Sequence, residues 1–374
     1  MSAPLVVFGE DWGAHPSSTQ HLVRRLAEQR DVIWVNSIGM RRPRLSPKDL
    51  QRVAAKLRRR RQPPAQPAAT PPRLSVVEPF AISWPGQPLA RRANRHLLGR
   101  RLRGELAARG LERPVLWLSL PTAVDVVGEL GERAVVYYVG DDFGALEGVD
   151  HAPVQRMEEE LVGAADMVLA ASSVLAARLD GPRTRSLPHG VDFELFAGTC
   201  EPAADLPRRG PVAGFYGGMD DRFDVPLVEA TARLLPQWQF VLIGPEKTEL
   251  GALRVLPNVR LLGPRPHERL PAYAAHWDAA ILPFRDTAMV RACNPLKLRE
   301  YLAAGRPIVT TDLPALDGYR DLVSLAGTPQ AFAKALQACR AEGPNEPARR
   351  RARVAPESWA ARAAEVESLL GQFD

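Results

Sequence analysis

Short apolar runs, separated by polar segments with helical spacing, recur along the whole chain. The first two runs are residues 4–9 and 31–36. Between them Leu22, Val23 and Leu26 share one helical face, after a Ser-Ser-Thr sequence that can cap a helix. This strand–helix–strand beginning predicts a parallel, doubly wound sheet.

The same alternation continues to the carboxyl end and starts afresh in the middle of the chain. The further predicted strands are residues 74–77, 115–120, 134–139, 167–171, 212–218, 239–245, 259–264 and 278–284. Helices are predicted at 88–109, around 157–161, after 225 and at 359–370. The strand at 212–218 opens a second series, so the pattern favours two α/β domains.

Residues 293–309 predict a loop, a helix, a tight turn and a buried strand. Pro295 suits the first helical position, and Gly305 suits the helix stop. Asn294 and the free N–H groups of Leu296 and Lys297 would then sit at a helix N-terminus, where phosphate binds well. Lys297 can add charge, and Glu300, one turn later, can accept from a pair of hydroxyl groups. The arrangement fits the diphosphate and ribose of a sugar nucleotide; an ordinary amphipathic helix after a loop is the alternative.

The stretch from Glu300 to Pro307 resembles the donor-binding helix of GT-B glycosyltransferases, in the family 4-like group of bacterial polysaccharide enzymes. These enzymes carry two Glu residues on this segment, followed by a small-residue turn and Gly-x-Pro. Their first Glu would fall at Ala292 here. Residues 189–192, His-Gly-Val-Asp, resemble the signature that closes the N-terminal domain of many such enzymes.

The resemblance implies an α/β GT-B fold, with two Rossmann-like, doubly wound parallel-sheet domains facing a cleft. Residues 1–190 would form the acceptor-binding domain and residues 191–356 the domain that binds the nucleotide-sugar. Residues 357–374 would form a C-terminal helix that packs back across both domains.

The resemblance also implies further donor-binding residues. Gly218 and Met219 lie in a turn that faces the donor diphosphate in such enzymes, and Arg222 is the nearby basic residue. An ion pair with a neighbouring Asp is the alternative for Arg222. Pro264 and Arg265 lie where the family contacts the base and ribose, although a plain surface loop explains them equally well.

Two adjacent carboxylates, Asp141 and Asp142, follow the predicted strand at 134–139. Such a pair is costly unless it is solvated, paired or used. The layout is also similar to that of the membrane-associated glucuronosyltransferase of xanthan assembly, and that likeness places Asp141 on the base of an inverting transfer. Asp142 remains the alternative base. The leaving diphosphate would be offset by Lys297, Arg222 and helix amides, with no metal and no cofactor required.

The loop after the first strand supplies candidates for the acceptor side. Asp11, Trp12 and His15 lie in it, and His21 follows on the predicted helix. Open α/β sheets place ligands at the carboxyl ends of strands. A structural hydrogen bond is the alternative for each histidine.

Composition places the 374-residue chain among globular proteins, with 45% hydrophobic and 25% charged residues. No apolar run reaches the roughly 18 residues needed to span a membrane. The N-terminus predicts a first strand, not a signal peptide. Three scattered cysteines argue against a disulfide framework or zinc site, so a cytoplasmic location is expected.

Two segments concentrate the positive charge. Residues 41–61 hold ten Lys or Arg and one acid, and six Arg lie between positions 91 and 103. A Pro/Ala-rich linker is predicted at 62–72. The basic segments favour a peripheral position on the anionic inner face of the cell membrane, or an anionic lipid carrier. A solvated surface is the alternative; no recognised motif indicates nucleic acid.

The sequence therefore predicts an inverting, metal-independent glycosyltransferase of cell-surface or exopolysaccharide assembly. It would use a UDP-sugar and a glycan or lipid-linked acceptor. Two other functions stay open: a nucleotide-sugar epimerase on the same fold, and a non-catalytic nucleotide-sugar-binding protein.

Overall fold

The computed structural model describes residues 2–13, 17–42, 70–146 and 148–374. His15, positions 43–61 of the basic segment and most of the predicted linker lie outside the described residues. The chain divides into two compact units, Met1–Pro188 with Arg362–Asp374, and His189–Ala361. Within the described residues, no helix combines the length and apolar character needed to cross a bilayer.

The first unit contains one parallel sheet of seven strands, in the order β3-β2-β1-β4-β5-β6-β7. The strands are β1 (Leu5–Phe8), β2 (Val32–Val35), β3 (Leu74–Val77), β4 (Val115–Leu118), β5 (Ala134–Val139), β6 (Met167–Ala170) and β7 (Thr184–Ser186). Its helices are α1 (Ser18–Leu26), α2 (Pro88–Ala108), α3 (His151–Ala164) and α4 (Ser173–Arg178). Every residue of β1, β2, β4, β5 and β6 is buried, as expected for a parallel sheet covered on both faces.

The second unit contains a parallel sheet of six strands, in the order β10-β9-β8-β11-β12-β13. The strands are β8 (Val212–Tyr216), β9 (Gln239–Ile243), β10 (Val259–Gly263), β11 (Ala279–Leu282), β12 (Ile308–Thr310) and β13 (Ser324–Leu325). The helices are α5 (Phe193–Ala197), α6 (Val225–Leu234), α7 (Pro271–Ala274), α8 (Ala288–Ala292), α9 (Leu296–Ala303), α10 (Pro329–Cys339) and α11 (Glu346–Val354). A last helix, α12, spans Trp359–Leu370.

The predicted doubly wound parallel sheets are confirmed in both units. Strands β7 and β13 were not predicted, because these short strands lie at the sheet edges and lack a buried apolar run. Strand order reverses between β1 and β4 in the first unit, and between β8 and β11 in the second. Open α/β sheets bind ligands at such reversals, at the carboxyl ends of the strands.

Arg30 ties the end of the chain into the first unit. Its buried guanidinium donates to Glu367, to Asp374 and to the carbonyl of Ala3, at 2.6–3.0 Å. A short 3-10 turn begins at Gly371, directly after α12, and it places Asp374 within hydrogen-bond distance of Arg30. The carboxyl-terminal residues therefore belong structurally to the unit formed by the start of the chain.

Candidate functional site

The turns that follow β8, β9 and β10 are bonded to one another through their backbones. Gly217 N–H donates to the Ile243 carbonyl at 2.8 Å, and Gly244 N–H donates to the Gly263 carbonyl at 3.0 Å. Gly244 has φ +140°, and a Cβ added there would lie 1.9 Å from the Gly217 carbonyl oxygen. At these glycines the second unit has a surface of backbone atoms without side chains, which a phosphate group can approach closely.

Helix α9 points its first turn into this region. Leu298, Tyr301 and Leu302 are fully buried, as their spacing predicts, and Gly305 ends the helix with φ +74°. The helix begins at Leu296, one residue later than expected, because Pro295 has an extended ψ of 118°. The Leu298 N–H donates to the Pro295 carbonyl at 3.1 Å, so the N–H groups of Leu296 and Lys297 before it are the ones that suit an anion.

Lys297 lies across the glycine turn. A Cβ added to Gly217 would come 2.0 Å from Lys297 Cε, and Lys297 Nζ is 5.8 Å from the centre of the Phe215 ring. Among the described residues, no carboxylate lies within ion-pair distance of Nζ. Burial, and then the nearby Arg222 charge, lower the pKa of Lys297. Burial makes the charged form of Lys297 less favourable, and a bound anion would stabilise it, so the site is suited to binding an anion.

Glu300, one turn further, is buried beside two aromatic side chains. The Tyr216 hydroxyl donates to Glu300 Oε2 at 2.7 Å, and His267 Nδ1 lies 3.9 Å from Glu300 Oε1. The Tyr301 hydroxyl accepts from the Tyr216 backbone N–H at 3.0 Å. Burial raises the pKa of Glu300, although His267 and Tyr216 oppose the shift. The carboxyl group is therefore held in one orientation.

Both candidate arginines of the donor side make ion pairs. Arg222 Nε and Nη2 contact the two carboxylate oxygens of Asp220 at 2.9 and 2.7 Å, which is the alternative left open by the sequence. Burial tends to raise the pKa of Asp220, but Arg222 holds it below its usual value. Arg265 contacts Asp205 at 2.9 Å and the Tyr273 hydroxyl at 3.0 Å. Either arginine must share or exchange these partners to reach a nucleotide.

Three other predicted donor residues occupy different surroundings. Met219 has a fully buried side chain, and its backbone N–H donates to the Pro245 carbonyl at 3.0 Å, so only its backbone borders the turn. Gly218 directly follows Gly217, and Pro264 directly follows Gly263 at the end of β10. The structure thus brings the glycine turn, Lys297 and Glu300 together around the first turn of α9.

A buried polar network holds the start of α9. Arg299 Nη1 donates to Asn294 Oδ1 at 2.7 Å, and Arg299 Nε donates to Glu357 Oε2 at 2.7 Å. Burial tends to raise the pKa of Glu357, but Arg299 and the Tyr319 hydroxyl hold it low. Glu357 is next to Ser358, which forms a parallel bridge with Val191. The sequence identified Asn294 but not Arg299, five residues later on α9, or Glu357, which lies far away along the chain.

Lys297 should make UDP binding dependent on pH. Its lowered pKa means that part of the lysine is neutral at alkaline pH, and a bound diphosphate raises that pKa again. Affinity should therefore fall as pH rises, and binding should take up protons at alkaline pH. Calorimetry in two buffers of different ionisation enthalpy measures this uptake. A Lys297→Arg variant, whose charge does not titrate, should show a smaller uptake; an equal uptake would exclude Lys297 as its source.

The two candidate base residues differ in their surroundings in the first unit. Asp141 is exposed. Asp142 Oδ1 accepts from the Gly144 N–H at 3.0 Å and from Arg178 Nη1 at 3.1 Å. Arg178 also contacts Glu158, a buried carboxylate that accepts from the Tyr137 hydroxyl at 2.7 Å. Asp142 is therefore the last member of a series of polar contacts, through Arg178 and Glu158 to Tyr137, that holds the loop carrying Asp141.

Replacing Arg178 with Met should lower the free energy of unfolding by about 1–2 kcal/mol, because Glu158 loses its charged partner while it stays buried. Thermal or urea unfolding measures the change. Arg185→Met is the matched control, since the Arg185 guanidinium donates to the carbonyls of Pro182 and Thr184 at the surface and pairs with no acid among the described residues. Equal stability of the two variants would contradict this role of Arg178.

The predicted acceptor-side residues sit on a loop that two amides hold. Asn36 Oδ1 accepts from the Trp12 N–H at 2.9 Å, and Gln20 Oε1 accepts from the Gly13 N–H at 3.0 Å. Trp12 is buried against Trp34, with ring centres 4.8 Å apart, so its ring contributes to the core of the first unit. Asp11 and His21 are half-buried close to this loop.

A protein-family model matches part of the second unit. Residues 210–341 match the family model described as "Glycosyl transferases group 1". The second unit carries a glycosyltransferase group 1 domain. The matched residues include β8 and α9, and therefore the Gly217 turn, Lys297 and Glu300.

A curated relative shares 29% identity with the chain over 226 residues. It is named "Putative teichuronic acid biosynthesis glycosyltransferase TuaH" and comes from Bacillus subtilis (strain 168). The match covers 54% of this chain and 57% of the relative, so the chain matches little more than half the length of that protein.

Solved structures match over the whole chain. Sucrose-phosphate synthase from Thermosynechococcus elongatus has a TM-score of 0.72 at 18% identity, covering 99% of this chain and 98% of that one. Anabaena HepE, in complex with UDP and glucose, has a TM-score of 0.66 at 12% identity, covering 99% of both chains. An E. coli trehalose-6-phosphate structure with UDP-2-fluoro glucose has a TM-score of 0.66 at 13% identity, again covering 99% of both. These likenesses confirm the GT-B fold predicted from the sequence.

The group 1 domain also confirms the predicted recognition of a glycosyltransferase. Tyr216 and Gly244 are residues of its site that the sequence interpretation did not select. A signal for them existed, because each lies at or just after the carboxyl end of a predicted strand in the second series. Arg299 and Glu357 had no such signal, since a buried ion pair between distant residues leaves no local pattern.

Proposed function

We propose that the protein transfers a sugar from a UDP-sugar to a glycan or lipid-linked acceptor in cell-surface polysaccharide assembly. The observation that carries this proposal is the group 1 domain with Lys297 over the Gly217 turn and Glu300 beside it. A diphosphate would meet Lys297 and the first-turn amides of α9. The ribose hydroxyl groups would meet Glu300. The named relative and the UDP complexes among the similar structures support the choice of acceptor and nucleotide.

The proposed reaction is an inverting transfer. Asp141 would deprotonate the acceptor hydroxyl while the nucleoside diphosphate leaves from the opposite face of the sugar. Its exposure suits a base that must reach an acceptor, whereas Asp142 is half-buried. Position 292, where a retaining enzyme of this group carries a Glu, holds the buried Ala292. Lys297 and the helix amides would offset the developing charge without a metal.

A panel of nucleotide-sugars in a thermal-shift assay tests the donor. UDP and UDP-sugars should raise the unfolding temperature, while GDP, dTDP and ADP compounds should raise it less. Incubation of the stabilising donor with glycan and lipid-linked acceptors then tests transfer. Conversion of the donor sugar without an acceptor would indicate the epimerase, and binding without any turnover would indicate a binding protein. No stabilisation by any nucleotide would contradict the proposal.

A further inference from the structure

An exposed apolar surface lies on the first unit, in the segment after β3 and along α2. Ile82 and Trp84 keep 41% and 38% of their surface exposed, and Leu89 and Leu97 keep 73% and 36%. Leu89, Ala93 and Leu97 follow one another at four-residue spacing, so they form one row on the helix. Single exposed apolar residues need no explanation, but several of them on one helical row and on the segment bonded to that helix indicate an interaction surface.

The backbone holds these side chains outward. The buried Asn94 side chain accepts from the Ile82 N–H at 2.7 Å and donates to the Ile82 carbonyl at 3.0 Å. Gln87 N–H donates to the Trp84 carbonyl at 3.1 Å, which closes a turn at the start of α2. The Arg42 guanidinium lies over the Trp84 ring, 4.5 Å from its centre. The segment is therefore fixed to α2 by its own hydrogen bonds while its apolar side chains face solvent.

The same surface is strongly basic. From Pro79 to Gly104 the chain holds six Arg and one His, and neither Asp nor Glu. Arg100 and Arg101 end the apolar row. A groove of about 820 Å³ opens between α2 and α3 beside Pro85 and Pro88. Four arginines line it, namely Arg91, Arg92, Arg95 and Arg156.

The acids of that groove do not neutralise it. Arg91 Nε contacts Asp125 Oδ1 at 2.8 Å, and Arg91 Nη1 contacts Glu160 Oε1 at 2.9 Å. Arg91 therefore engages both carboxylates that line the groove. The groove contains four arginines against two acids, so its lining carries a net positive charge. Outside that lining, Glu129 pairs with Arg95 at 2.9 Å and Glu105 pairs with Arg101 at 2.6 Å, whereas no ion pair among the described residues engages Arg92 or Arg100. Apolar side chains beside these two arginines fit the boundary between acyl chains and anionic headgroups.

We propose that this surface, hereafter the α2 surface, docks the protein on an anionic lipid bilayer. It comprises Ile82, Trp84, Leu89 and Leu97, with Arg92, Arg95, Arg100 and Arg101 around them. The apolar side chains enter the headgroup region, and Arg92 and Arg100, which have no ion pair among the described residues, contact lipid phosphates. A second copy of the chain is a poorer occupant, because a symmetric dimer would set this basic patch against itself. The inference rests on the proposed function only in that a lipid-linked acceptor is reached at a membrane.

Flotation with vesicles tests the apolar part of the α2 surface. The full chain should float with vesicles of phosphatidylcholine mixed with phosphatidylglycerol, and much less with phosphatidylcholine alone. The triple variant Ile82→Ser, Leu89→Ser, Leu97→Ser should lower the partition coefficient by about tenfold or more. The matched control is Leu234→Ser, Val255→Ser, Leu325→Ser, whose residues are 48%, 80% and 42% exposed in the second unit. The control should bind as the unchanged chain does.

The charged part is tested separately. Arg92→Ser and Arg100→Ser should each weaken binding to anionic vesicles by about fivefold, the effect of one basic residue near such a surface. Arg209→Ser and Arg260→Ser, at exposed positions of the second unit, serve as controls. Added salt should weaken the binding of the unchanged chain to anionic vesicles. It should also reduce the difference in binding between the unchanged chain and the arginine variants.

Trp84 provides a direct spectroscopic readout. The chain has seven Trp residues, and six of them are at most 7% exposed, whereas Trp84 is 38% exposed. Iodide in the water should quench Trp84 in the free protein, and vesicles should protect it. Vesicles of brominated anionic lipid should quench it instead, and Trp84→Phe should abolish both effects.

Three outcomes would overturn the proposal. The first is equal recovery of the chain with neutral and anionic vesicles, or no recovery with either. The second is equal binding by the Ser variants of the α2 surface and their controls. The third is a dimer in solution that the apolar triple variant dissociates, which would make the surface an interface between copies. UDP binding by the triple variant should be unchanged, so a failure of donor binding in the unchanged chain would reject the proposed function and leave the docking result intact.

Discussion

Replacing Asp141 with Asn should lower the rate of sugar transfer by about 10²–10⁴-fold, the usual cost of losing a general base. The amide keeps the shape of the side chain but accepts no proton from the acceptor hydroxyl. Donor affinity should stay nearly unchanged, because the base acts on the acceptor. Single-turnover transfer and UDP titration, measured on the same preparation, separate the two effects.

Asp142→Asn is the matched control for this prediction. Asp142 holds Arg178 and the Gly144 amide, so its variant should lose some stability and a smaller part of the rate. The stereochemistry of the product is independent of either variant. An α-linked donor should give a β-linked product if the transfer inverts. An α-linked product, or full turnover by Asp141→Asn, would contradict the proposed base and return attention to a retaining mechanism around Glu300.

Replacing Lys297 with Met should weaken UDP binding by about 1–3 kcal/mol, the range for a charge-assisted contact to an anion. Met keeps an unbranched apolar stem against Gly217 and removes only the charge. The loss should also appear as a smaller rise of the unfolding temperature at a fixed UDP concentration. Isothermal titration of UDP measures the change directly.

The sign of the stability change caused by Lys297→Met can be predicted. Burial lowers the pKa of Lys297, so the charged form is less favourable in the folded than in the unfolded chain. Below that lowered pKa the lysine costs stability, and its removal should leave the unfolding temperature unchanged or higher. Lys334→Met, at an exposed position of α10, is the control and should alter neither property. Unchanged UDP affinity in a stable Lys297→Met protein would reject the assignment of Lys297 to the diphosphate.

The sequence predicted most of the sheet because the inner strands of a parallel sheet are buried on both faces. Apolar runs such as Ala134–Val139 therefore stand out without any tertiary information. The same holds for α9, whose stop at Gly305 and buried face follow from local chemistry. The edge strands β7 and β13 are exposed and short, so their pairing alone identifies them.

The candidate site was predicted in part for a related reason. Asp141, the Gly217 turn and Lys297 lie at strand or helix ends, which the sequence marks with glycine, proline and charge. What those residues contact was decided elsewhere in the chain. Glu300 is oriented by Tyr216 and His267, which come from β8 and from the loop after β10. Asn294 is held by Arg299 of α9, and Arg299 in turn is held by the distant Glu357.

The sequence by itself determined the fold class, the position of α9 and the residue types that could meet a sugar nucleotide. These features depend on local periodicity and on the chemistry of strand and helix ends. Only the tertiary structure decided which charges are engaged, with Arg222 on Asp220 and Asp142 on Arg178. It also decided that Leu89 and Leu97 face solvent instead of a core. Burial and ion pairing depend on residues that are distant in sequence, and no local pattern encodes them.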